Sequence, residues 1–473
     1  MKHRILLDLK VAMNNGFCGI GTENRLIFNM LSGQEQADIS GLLVSDHSTT
    51  TLTKFKKASG TQGIQQANRF FHEALDHELF FKNSILMKLR MHYFQAFRRK
   101  PFDLFDIDAV FNDVIWRNVF DKTLPVNVKD AVLDRRFYYS NLVQLHLNTA
   151  SYFNYHLPLK TEGYDFALFM EPLPIKVSPQ TTKIVRFHDA IPLSDPDFSN
   201  TRYAHGKMNV LNQCAKDSYF VCNSAPTRDV LLAIKPELEN RSSVIPCVIV
   251  ANEAKVKNFA LLKQIMSTRL SQQLTTDAQL VTIRERLHAM TDCDYFFHLA
   301  TLDPKKNQVT LIKAWEKVHY HSGGKIKLIL AANKGWLSGE VEALMRPHIQ
   351  LGNIIHLSNL SNEDVPYLYS HARAFVFPSY IEGFGLPPLE AMQCECPVIV
   401  SDIKTHRWVY GDAALYSNPY DVDALAQQME CLINDEGQVL RQNLINKGLQ
   451  QIKKYTQTVL GEQWMNLFDT LKK

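Results

Sequence analysis

The chain has 473 residues, of which 45% are hydrophobic and 21% charged, a composition typical of globular proteins and not of disordered or fibrous ones. Its formal net charge of +4 is too small to indicate a nucleic-acid-binding protein. No apolar run approaches the ~18–20 residues that span a bilayer. Asp8 and Lys10 interrupt the first apolar segment, which therefore predicts a strand and not a secretion signal. The dispersed cysteines indicate a reducing compartment, so we expect a cytoplasmic protein without a zinc site.

The first half of the chain opens with a strand, a glycine-containing loop and a helix. The strand is predicted over Arg4–Met13, the loop over Gly16–Gly21, and the helix over Glu23–Leu31, where apolar residues follow helical spacing. This order is typical of a Rossmann-like unit. The loop does not match Gly-x-Gly-x-x-Gly, so dinucleotide binding is not favoured. Further short strands are predicted over Asp165–Met170, Lys183–Phe187 and Ser218–Cys222.

In the second half, strands alternate with helices over a longer stretch. Strands are predicted near Tyr295–Ala300, Ile326–Ala332, Ile354–Leu357, Ala374–Pro378, Pro397–Val400 and Ala414–Tyr416. The helices predicted between or after them are Gln308–His319, Asn362–His371, Pro387–Gln393 and Val422–Leu432. Such alternation indicates parallel sheets, and two such blocks predict two doubly wound α/β domains facing a central cleft.

We expect an N-terminal domain over residues 1–250, with a helical insertion at about 46–161. Residues 251–290 are predicted to connect it to a C-terminal domain over 291–455. A last helix over 456–473 is expected to return to the N-terminal domain. Within the insertion, Phe81–Lys100 has the pattern of a basic amphipathic helix, which would either pack on its own domain or lie on an anionic membrane. Asp106-Ile107-Asp108 has the form of a metal-binding D-x-D motif, which we interpret as a chance match.

The most informative segment is Phe375–Met392. It predicts a buried strand ending at Pro378, then a loop with glycines, then a helix beginning at Pro387 or Pro388, since proline is favoured in a first helical turn. Glycines allow a ligand to approach the backbone closely. The N–H groups and the dipole at the start of the helix favour an anion. The segment therefore predicts a phosphate-binding site.

Two glutamates, Glu382 and Glu390, flank this predicted phosphate site with seven residues between them. Carboxylates accept hydrogen bonds from hydroxyl groups and repel phosphate. The pattern therefore suggests a ligand with hydroxyl groups on both sides of a phosphate, as in a nucleotide sugar. The alternative is that both are ordinary glutamates near a helix N-terminus, where the dipole favours negative charge.

The second half resembles the retaining glycosyltransferases of family 4, which have the GT-B fold, and within them bacterial mannosyltransferases of surface-polysaccharide assembly. The resemblance is continuous from about Phe296 to Tyr420, and its most specific motif is the glutamate pair enclosing Gly383–Pro387. Other matching stretches are Thr301–Asn307, Ala332–Trp336, Ala372–Ser379 and Gly411–Ala414. Matches in the first half are shorter and comprise Gly19–Gly21, Phe187–Pro192 and Asn223-Ser224.

The resemblance implies roles for matching residues of the second domain. Glu390 would hold the ribose hydroxyls, Glu382 would sit against the transferred sugar, and Lys306 would neutralise the diphosphate. Since a lysine supplies that positive charge, no metal or other cofactor is expected. The other substrate-binding residues that it implies in this domain are Lys305, Asn359, Leu360, Gly383, Phe384, Gly385 and Leu386.

In the first domain, the resemblance implies that Gly19 and Gly21 approach the diphosphate or the acceptor. His188 would face the reacting sugar and position it, unless it is merely a histidine satisfied within its loop. His188, Glu382 and Lys306 are therefore the expected catalytic residues. Two departures from the family pattern are Trp408, in the place of a glutamate, and Val244–Val248, which lacks the usual hinge glycine.

The expected function is a retaining hexosyltransferase that moves mannose from GDP-mannose to a saccharide, lipid-linked or protein acceptor. Alternatives are the same reaction with a UDP-sugar, or a degenerate GT-B protein that binds without turnover. The retained Lys306, Glu382, Glu390 and His188 argue against the degenerate protein. Expected partners are the nucleotide sugar and its acceptor, with peripheral contact to the inner face of the membrane through the basic helix as a further possibility and no nucleic acid.

Overall fold

The chain forms two units, each built around its own parallel sheet, in a computed structural model of the protein. Unit 1 comprises Met1–Asn223, Thr227–Val248 and Gln457–Lys473, and unit 2 comprises Ser224–Pro226 and Ile249–Thr456. The structure describes residues 2–13, 19–45, 101–143, 147–148, 150–151, 154–195, 201–250, 258–273, 295–333, 335, 338–434 and 436–472. The whole basic segment Phe81–Lys100 and the larger part of the predicted connection at 251–290 lie outside these residues.

Unit 1 contains an eight-stranded sheet in the order β10-β9-β8-β6-β1-β2-β4-β3, which is parallel except for the β3–β4 pair. Its strands are β1 (His3–Asp8), β2 (Ala37–Ser45), β3 (Leu104–Asp106), β4 (Arg136–Val143), β6 (Phe166–Phe169), β8 (Thr182–Phe187), β9 (Ser218–Cys222) and β10 (Ser242–Val244). A separate parallel pair is formed by β5 (Leu157–Pro158) and β7 (Ile175–Lys176). Strand β6 is a fully buried apolar run, and β8 is buried from Lys183 to Phe187, as expected for a sheet covered on both faces. Lys183 and Arg186 of β8 are buried charged residues.

The helices of unit 1 alternate with these strands. They are α1 (Gly19–Ser32), α2 (Asn112–Ile115), α3 (Lys129–Leu133), α4 (Ile191–Ser194), α5 (Thr201–Asp217) and α6 (Ala225–Ile234). The strand and the helix predicted for the start of the chain are present, although β1 ends at Asp8 and is followed by a short 3-10 turn over Val11–Met13. The prediction of a loop over Gly16–Gly21 is wrong for Gly19–Gly21, which form the first turn of α1, and residues 16–18 lie outside the described residues.

The described part of the predicted helical insertion differs from the expectation. Leu104–Asp106 and Arg136–Val143 are strands of the main sheet, and β4 lies parallel to β2. Aromatic residues fit a pleated, half-buried surface, and Phe137, Tyr138 and Tyr139 follow one another in β4. The Asp-Ile-Asp motif has a local structural role: Asp108 caps the 3-10 turn over Ala109–Phe111 by accepting a hydrogen bond from Val110 N at 3.0 Å.

Unit 2 contains six parallel strands in the order β13-β12-β11-β14-β15-β16. They are β11 (Tyr295–Leu299), β12 (Lys327–Ala331), β13 (Ile354–Leu357), β14 (Ala374–Phe377), β15 (Val398–Ser401) and β16 (Leu415–Ser417). The helices are α7 (Phe259–Gln273), α8 (Gln308–His321), α9 (Gly339–Leu351), α10 (Val365–His371), α11 (Leu386–Gln393), α12 (Lys404–Tyr410), α13 (Val422–Glu430) and α14 (Glu436–Gln451). The predicted alternation of strands and helices is confirmed, while α9, α12 and α14 were not predicted.

The last helix, α15 (Gln457–Lys472), belongs to unit 1. Its Phe468 ring packs on Phe166 of β6 at 4.8 Å between centroids, and Asp469 Oδ1 lies 2.8 Å from His3 Nε2. Trp464 is fully buried under the same sheet. In the part of the chain that the structure describes, no helix has both the length and the apolar character needed to cross a membrane.

Candidate functional site

The loop between β14 and α11 contains the segment predicted to bind phosphate. Helix α11 begins at Leu386, one residue before the earliest predicted start, and Pro387 stands in its first turn. Gly385 precedes the helix with φ of +92°, a conformation that side chains rarely adopt. Its carbonyl accepts a hydrogen bond from Tyr410 Oη at 2.7 Å, and an added Cβ would collide with that hydroxyl. Glycine is therefore required at position 385 for two reasons: the backbone has a positive φ, and a side chain would collide with Tyr410.

Lys306 and Glu382 form an ion pair at this loop, with Nζ and Oε1 2.5 Å apart. Both side chains are largely buried, with 15% and 10% of their surface exposed. Lys306 ends a 3-10 turn over Pro304–Lys306, and Asn307 follows it in the left-handed conformation with φ of +57°. Asn307 Nδ2 donates to the Pro378 carbonyl at 3.0 Å, which ties the turn to the loop.

The second predicted cation, Lys305, lies in the same turn. Asp303 caps this turn by accepting a hydrogen bond from Lys305 N at 3.0 Å. The Lys305 carbonyl in turn accepts a hydrogen bond from Tyr380 N at 2.9 Å. The structure therefore brings two segments, 303–307 and 378–382, together through side-chain and backbone bonds.

The two glutamates of the motif experience opposite electrostatic environments. Burial favours a raised pKa for Glu382, but Lys306 and then Lys305 outweigh it and lower the pKa below its usual value. Glu390, in α11, is half-buried, and no cation lies beside it among the described residues; burial raises its pKa to about 7 although Tyr369 Oη lies 3.4 Å from its Oε2. Glu382 is consequently ionised at neutral pH, whereas the pKa of Glu390 is close to neutral pH, so its protonated and ionised forms are both populated.

Two buried histidines, which the sequence analysis did not select, adjoin the ion pair. His298 and His406 each pack against the Phe377 ring, at 6.2 and 5.8 Å, and Lys306 Nζ lies 5.0 Å from the centre of that ring. Burial lowers the pKa of both histidines to about 4, so both are neutral at pH 7. His298 stands in a strand that is otherwise apolar, and a polar residue in such a run is the signal that could have revealed it.

The other residues of unit 2 that were predicted to bind substrate lie in loops near the carboxyl ends of its strands. Asn359 and Leu360 follow β13; Asn359 has φ of +54°, and its N–H donates to Asn333 Oδ1 at 3.0 Å. Parallel strands present these ends at one edge of the sheet, where ligands bind in open α/β folds. Gly383 and Phe384 are buried in the loop before α11.

Trp408 occupies the place where the family pattern has a glutamate, and it contacts the loop directly. Its ring meets Phe384 edge to face at 6.4 Å, and Tyr455 meets the same phenylalanine at 5.7 Å. This departure therefore replaces a carboxylate with an aromatic side chain that supports the loop.

The predicted residues of unit 1 are grouped by α1 and β8. Gly19 begins α1 and is exposed, whereas Gly21 lies in its first turn and is buried. His188 follows β8, and its Nε2 lies 2.6 Å from Oε2 of Glu23 in α1. Glu23 was not selected from the sequence, because its buried partners are more than 160 positions away.

The described residues contain no group of three or more His, Cys, Asp or Glu side chains that could hold a metal ion. The positive charge at the loop is supplied by lysine side chains. The site combines a cation, an ionised carboxylate and a second carboxyl group around a helix N-terminus. This arrangement can bind a phosphate and hydroxyl groups together.

Comparison with known proteins identifies the family of this region. Residues 282–451 match the family Glycosyl transferases group 1. The chain carries a group 1 glycosyltransferase domain. The resemblance to glycosyltransferases found in the sequence is thereby confirmed.

Two curated relatives of this glycosyltransferase domain are mannosyltransferases of Escherichia coli. The chain is 34% identical over 177 residues to O-antigen chain mannosyltransferase B, covering 37% of the chain and 46% of the relative. It is 28% identical over 245 residues to serotype-specific mannosyltransferase WbdA, covering 51% of the chain and 29% of the relative. The matches thus span less than half the length of either relative.

A solved structure shows the same fold. Sucrose-phosphate synthase from Thermosynechococcus elongatus has a TM-score of 0.59 at 14% identity, with 99% of each chain covered. At this identity the likeness concerns the fold alone. The predicted fold class, α/β of the GT-B type with parallel-sheet domains, is confirmed.

Proposed function

We propose that the chain is a retaining hexosyltransferase that moves mannose from GDP-mannose to a saccharide, lipid-linked or protein acceptor. The observation that carries the proposal is the buried Lys306–Glu382 pair beside the N-terminus of α11, with Glu390 in the same helix. The mannosyltransferase relatives support the choice of sugar. The proposal places the enzyme in the cytoplasm; its predicted peripheral membrane contact rests on Phe81–Lys100, outside the described residues.

In this proposal, Lys306 and the start of α11 hold the diphosphate. Pro387 and Pro388 have no N–H, so the backbone donors are the N–H groups of Phe384, Gly385 and Leu386. Lys306 is already held in place by Glu382, so little reorganisation is needed when negative charge develops on the leaving group. Preorganised charge of this kind is a large source of catalytic rate.

The reaction breaks the bond between the anomeric carbon and the phosphate oxygen. The acceptor oxygen forms the new bond to that carbon on the face that the diphosphate leaves, so the configuration is retained. The acceptor hydroxyl proton passes to the departing phosphate. Glu382 lies against the transferred sugar, and Glu390 accepts hydrogen bonds from the ribose hydroxyls, while His188 positions the sugar.

A donor screen tests this proposal. Purified protein is incubated with GDP-mannose and with UDP-sugars, and donor hydrolysis and thermal stabilisation are measured. We expect a response to GDP-mannose that Glu390→Ala abolishes and that Glu363→Ala, an exposed glutamate of the same unit, leaves intact. A response to UDP-sugars alone would support the alternative donor, and binding without turnover would support a degenerate binding protein.

The proposal also requires no metal cofactor, because Lys306 supplies the charge that a divalent cation supplies elsewhere. Turnover measured with and without EDTA should therefore agree within about twofold. Loss of activity in EDTA that Mg²⁺ or Mn²⁺ restores would contradict this part of the proposal. The same assay on Lys306→Ala should show no activity under either condition.

A further inference from the structure

A buried glutamate of unit 1, Glu23, uses its two carboxylate oxygens for two different partners. Oε1 accepts from Arg186 Nη2 at 2.5 Å and from Nε at 3.1 Å, while Oε2 accepts from His188 Nε2 at 2.6 Å. Only 1% of the Glu23 side chain is exposed, and none of Arg186 is. The buried carboxylate therefore bridges the Arg186 guanidinium and the His188 imidazole.

Glu23 is ionised in this environment. Burial alone would raise its pKa, but the charge of Arg186, together with the hydrogen bond from His188, outweighs burial and lowers the pKa below its usual value. Arg186 is itself held by the carbonyl oxygens of Cys222 and Ile245 at 3.2 and 2.5 Å, and Trp464 lies against its guanidinium at 5.9 Å. These contacts fix the position of the carboxylate as well as its charge.

The protonation of His188 follows from this geometry. An ionised carboxylate can only accept hydrogen bonds, so His188 Nε2 carries a proton. Arg186 already balances the charge of Glu23, and a second proton on the ring would add an uncompensated buried charge. In the neutral ring the one proton is on Nε2, so Nδ1 carries a lone pair.

This lone pair has no partner among the described residues. His188 Nδ1 is buried and makes no hydrogen bond, and the same holds for Oδ1 of Asn223. Asn223 Nδ2 donates to the His188 carbonyl at 2.8 Å, which fixes the orientation of that amide. Both unsatisfied atoms are acceptors, so a ligand that satisfies them must donate hydrogen bonds, as hydroxyl groups do.

We propose that Glu23 is a positioning residue, which fixes His188 with its proton on Nε2 so that Nδ1 accepts a hydrogen bond from a sugar hydroxyl group. This inference rests on the proposed hexosyltransferase function and extends it to a residue outside the family motifs. Glu23 itself does not touch the sugar. It acts by selecting which ring nitrogen faces the ligand.

The isosteric variant Glu23→Gln tests the tautomer. Its amide oxygen must face Arg186, since the guanidinium can only donate, so its NH₂ faces His188 Nε2. That contact places two donors together unless the histidine proton moves to Nδ1. We expect kcat to fall roughly 10²-fold, the size of effect typical when the partner that orients a functional histidine is lost. KM for the nucleotide sugar should stay within about twofold if only positioning is affected.

A purely structural role would give a different result in a double variant. In the His188→Ala background, Glu23→Gln should lower kcat no further than about twofold, because the histidine through which it acts is gone. An additional loss comparable with that of the single variant would overturn the proposal. Glu162→Gln, an exposed glutamate of the same unit, serves as the matched control and should leave kcat unchanged.

Nitrogen-15 NMR of histidine-labelled protein tests the same claim without any Glu23 variant. The His188 resonances are assigned by their loss in His188→Gln, and they should show Nε2 protonated and Nδ1 unprotonated at pH 7.5. A proton on Nδ1 would overturn the proposal. This measurement does not depend on turnover, so a failure of the hexosyltransferase assignment and a failure of the Glu23 role are distinguished.

Discussion

The residues of the candidate site differ in charge because each meets a different neighbour. Glu382 has Lys306 at 2.5 Å and stays ionised, whereas Glu390 has a tyrosine hydroxyl at 3.4 Å and, in the part of the chain that the structure describes, no neighbouring cation. The spacing in the sequence predicted that both would flank a phosphate. It could not predict their ionisation, which depends on groups brought in by folding.

The raised pKa of Glu390 gives a prediction for stability against pH. Its pKa is 4.5 when unfolded and about 7 when folded, so the folded state binds more protons between these values and stability falls as pH rises through that range. The loss is at most about 3 kcal/mol, and solvent screening of this half-buried group reduces it. Glu390→Gln should remove this part of the decline in urea unfolding from pH 4.5 to 8. If the free energy of unfolding of Glu390→Gln fell with pH as steeply as that of the unmodified protein, the raised pKa of Glu390 would be contradicted.

The ion pair gives a second prediction, which separates stability from activity. Lys306→Met leaves the buried Glu382 carboxylate without its ion-pair partner and with only the weaker influence of Lys305, and breaking such a pair costs about 3 kcal/mol. Adding Glu382→Gln removes the stranded charge and should restore most of the lost stability, although both variants should be inactive. Unfolding free energy and donor hydrolysis are measured for both. A double variant no more stable than Lys306→Met would contradict this account.

At the scale of elements, the segment from β14 to α11 was predictable because its signals are local. A buried apolar strand, a glycine with positive φ and prolines in the first helical turn each act within a few residues. Strand β4 was assigned to the helical insertion because its pairing with β2 is not visible along the chain. Helix α12 was missed for a related reason, since its buried Thr405 and His406 resemble the polar residues of a loop.

The loop geometry predicts the effect of changing Gly385. Gly385→Ala combines a positive φ with a collision against the Tyr410 hydroxyl, so it should lower stability by about 1–3 kcal/mol and weaken donor binding. Gly339→Ala, at the start of α9 with open space around it, is the matched control. Thermal unfolding and nucleotide binding report both effects. Adding Tyr410→Phe to Gly385→Ala should recover part of the loss; a variant with native stability and affinity would contradict the role of this glycine.

At the scale of the whole molecule, unit 1 is assembled from distant parts of the chain. Glu23, Arg186 and His188 meet although more than 160 positions separate the first from the others. Helix α15 adds Trp464 and Phe468 to the same unit. Sequence patterns give the elements of such a unit, but the contacts between remote elements arise only when it folds.

Helix α15 should therefore contribute directly to the stability of unit 1. Trp464→Ala removes a fully buried ring that also contacts Arg186, and such truncations cost about 3–5 kcal/mol. Val459→Ala, at a more exposed position of the same helix, should cost less than about 1 kcal/mol. Hydrogen exchange of β6 and β8 amides measures the effect within unit 1. If the β6 and β8 amides were equally protected from exchange in both variants, the proposed contribution of α15 to the stability of unit 1 would be contradicted.

The return of the chain to unit 1 also constrains biosynthesis. A ribosome must translate Ile249–Thr456 before it makes α15, which takes roughly 10–40 s at ~5–20 residues per second. During that interval the nascent N-terminal sheet lacks Trp464 and Phe468 and presents an uncovered apolar surface to chaperones. Unit 1, whose sheet is synthesised first, can thus complete its core only after the chain of unit 2 has been synthesised.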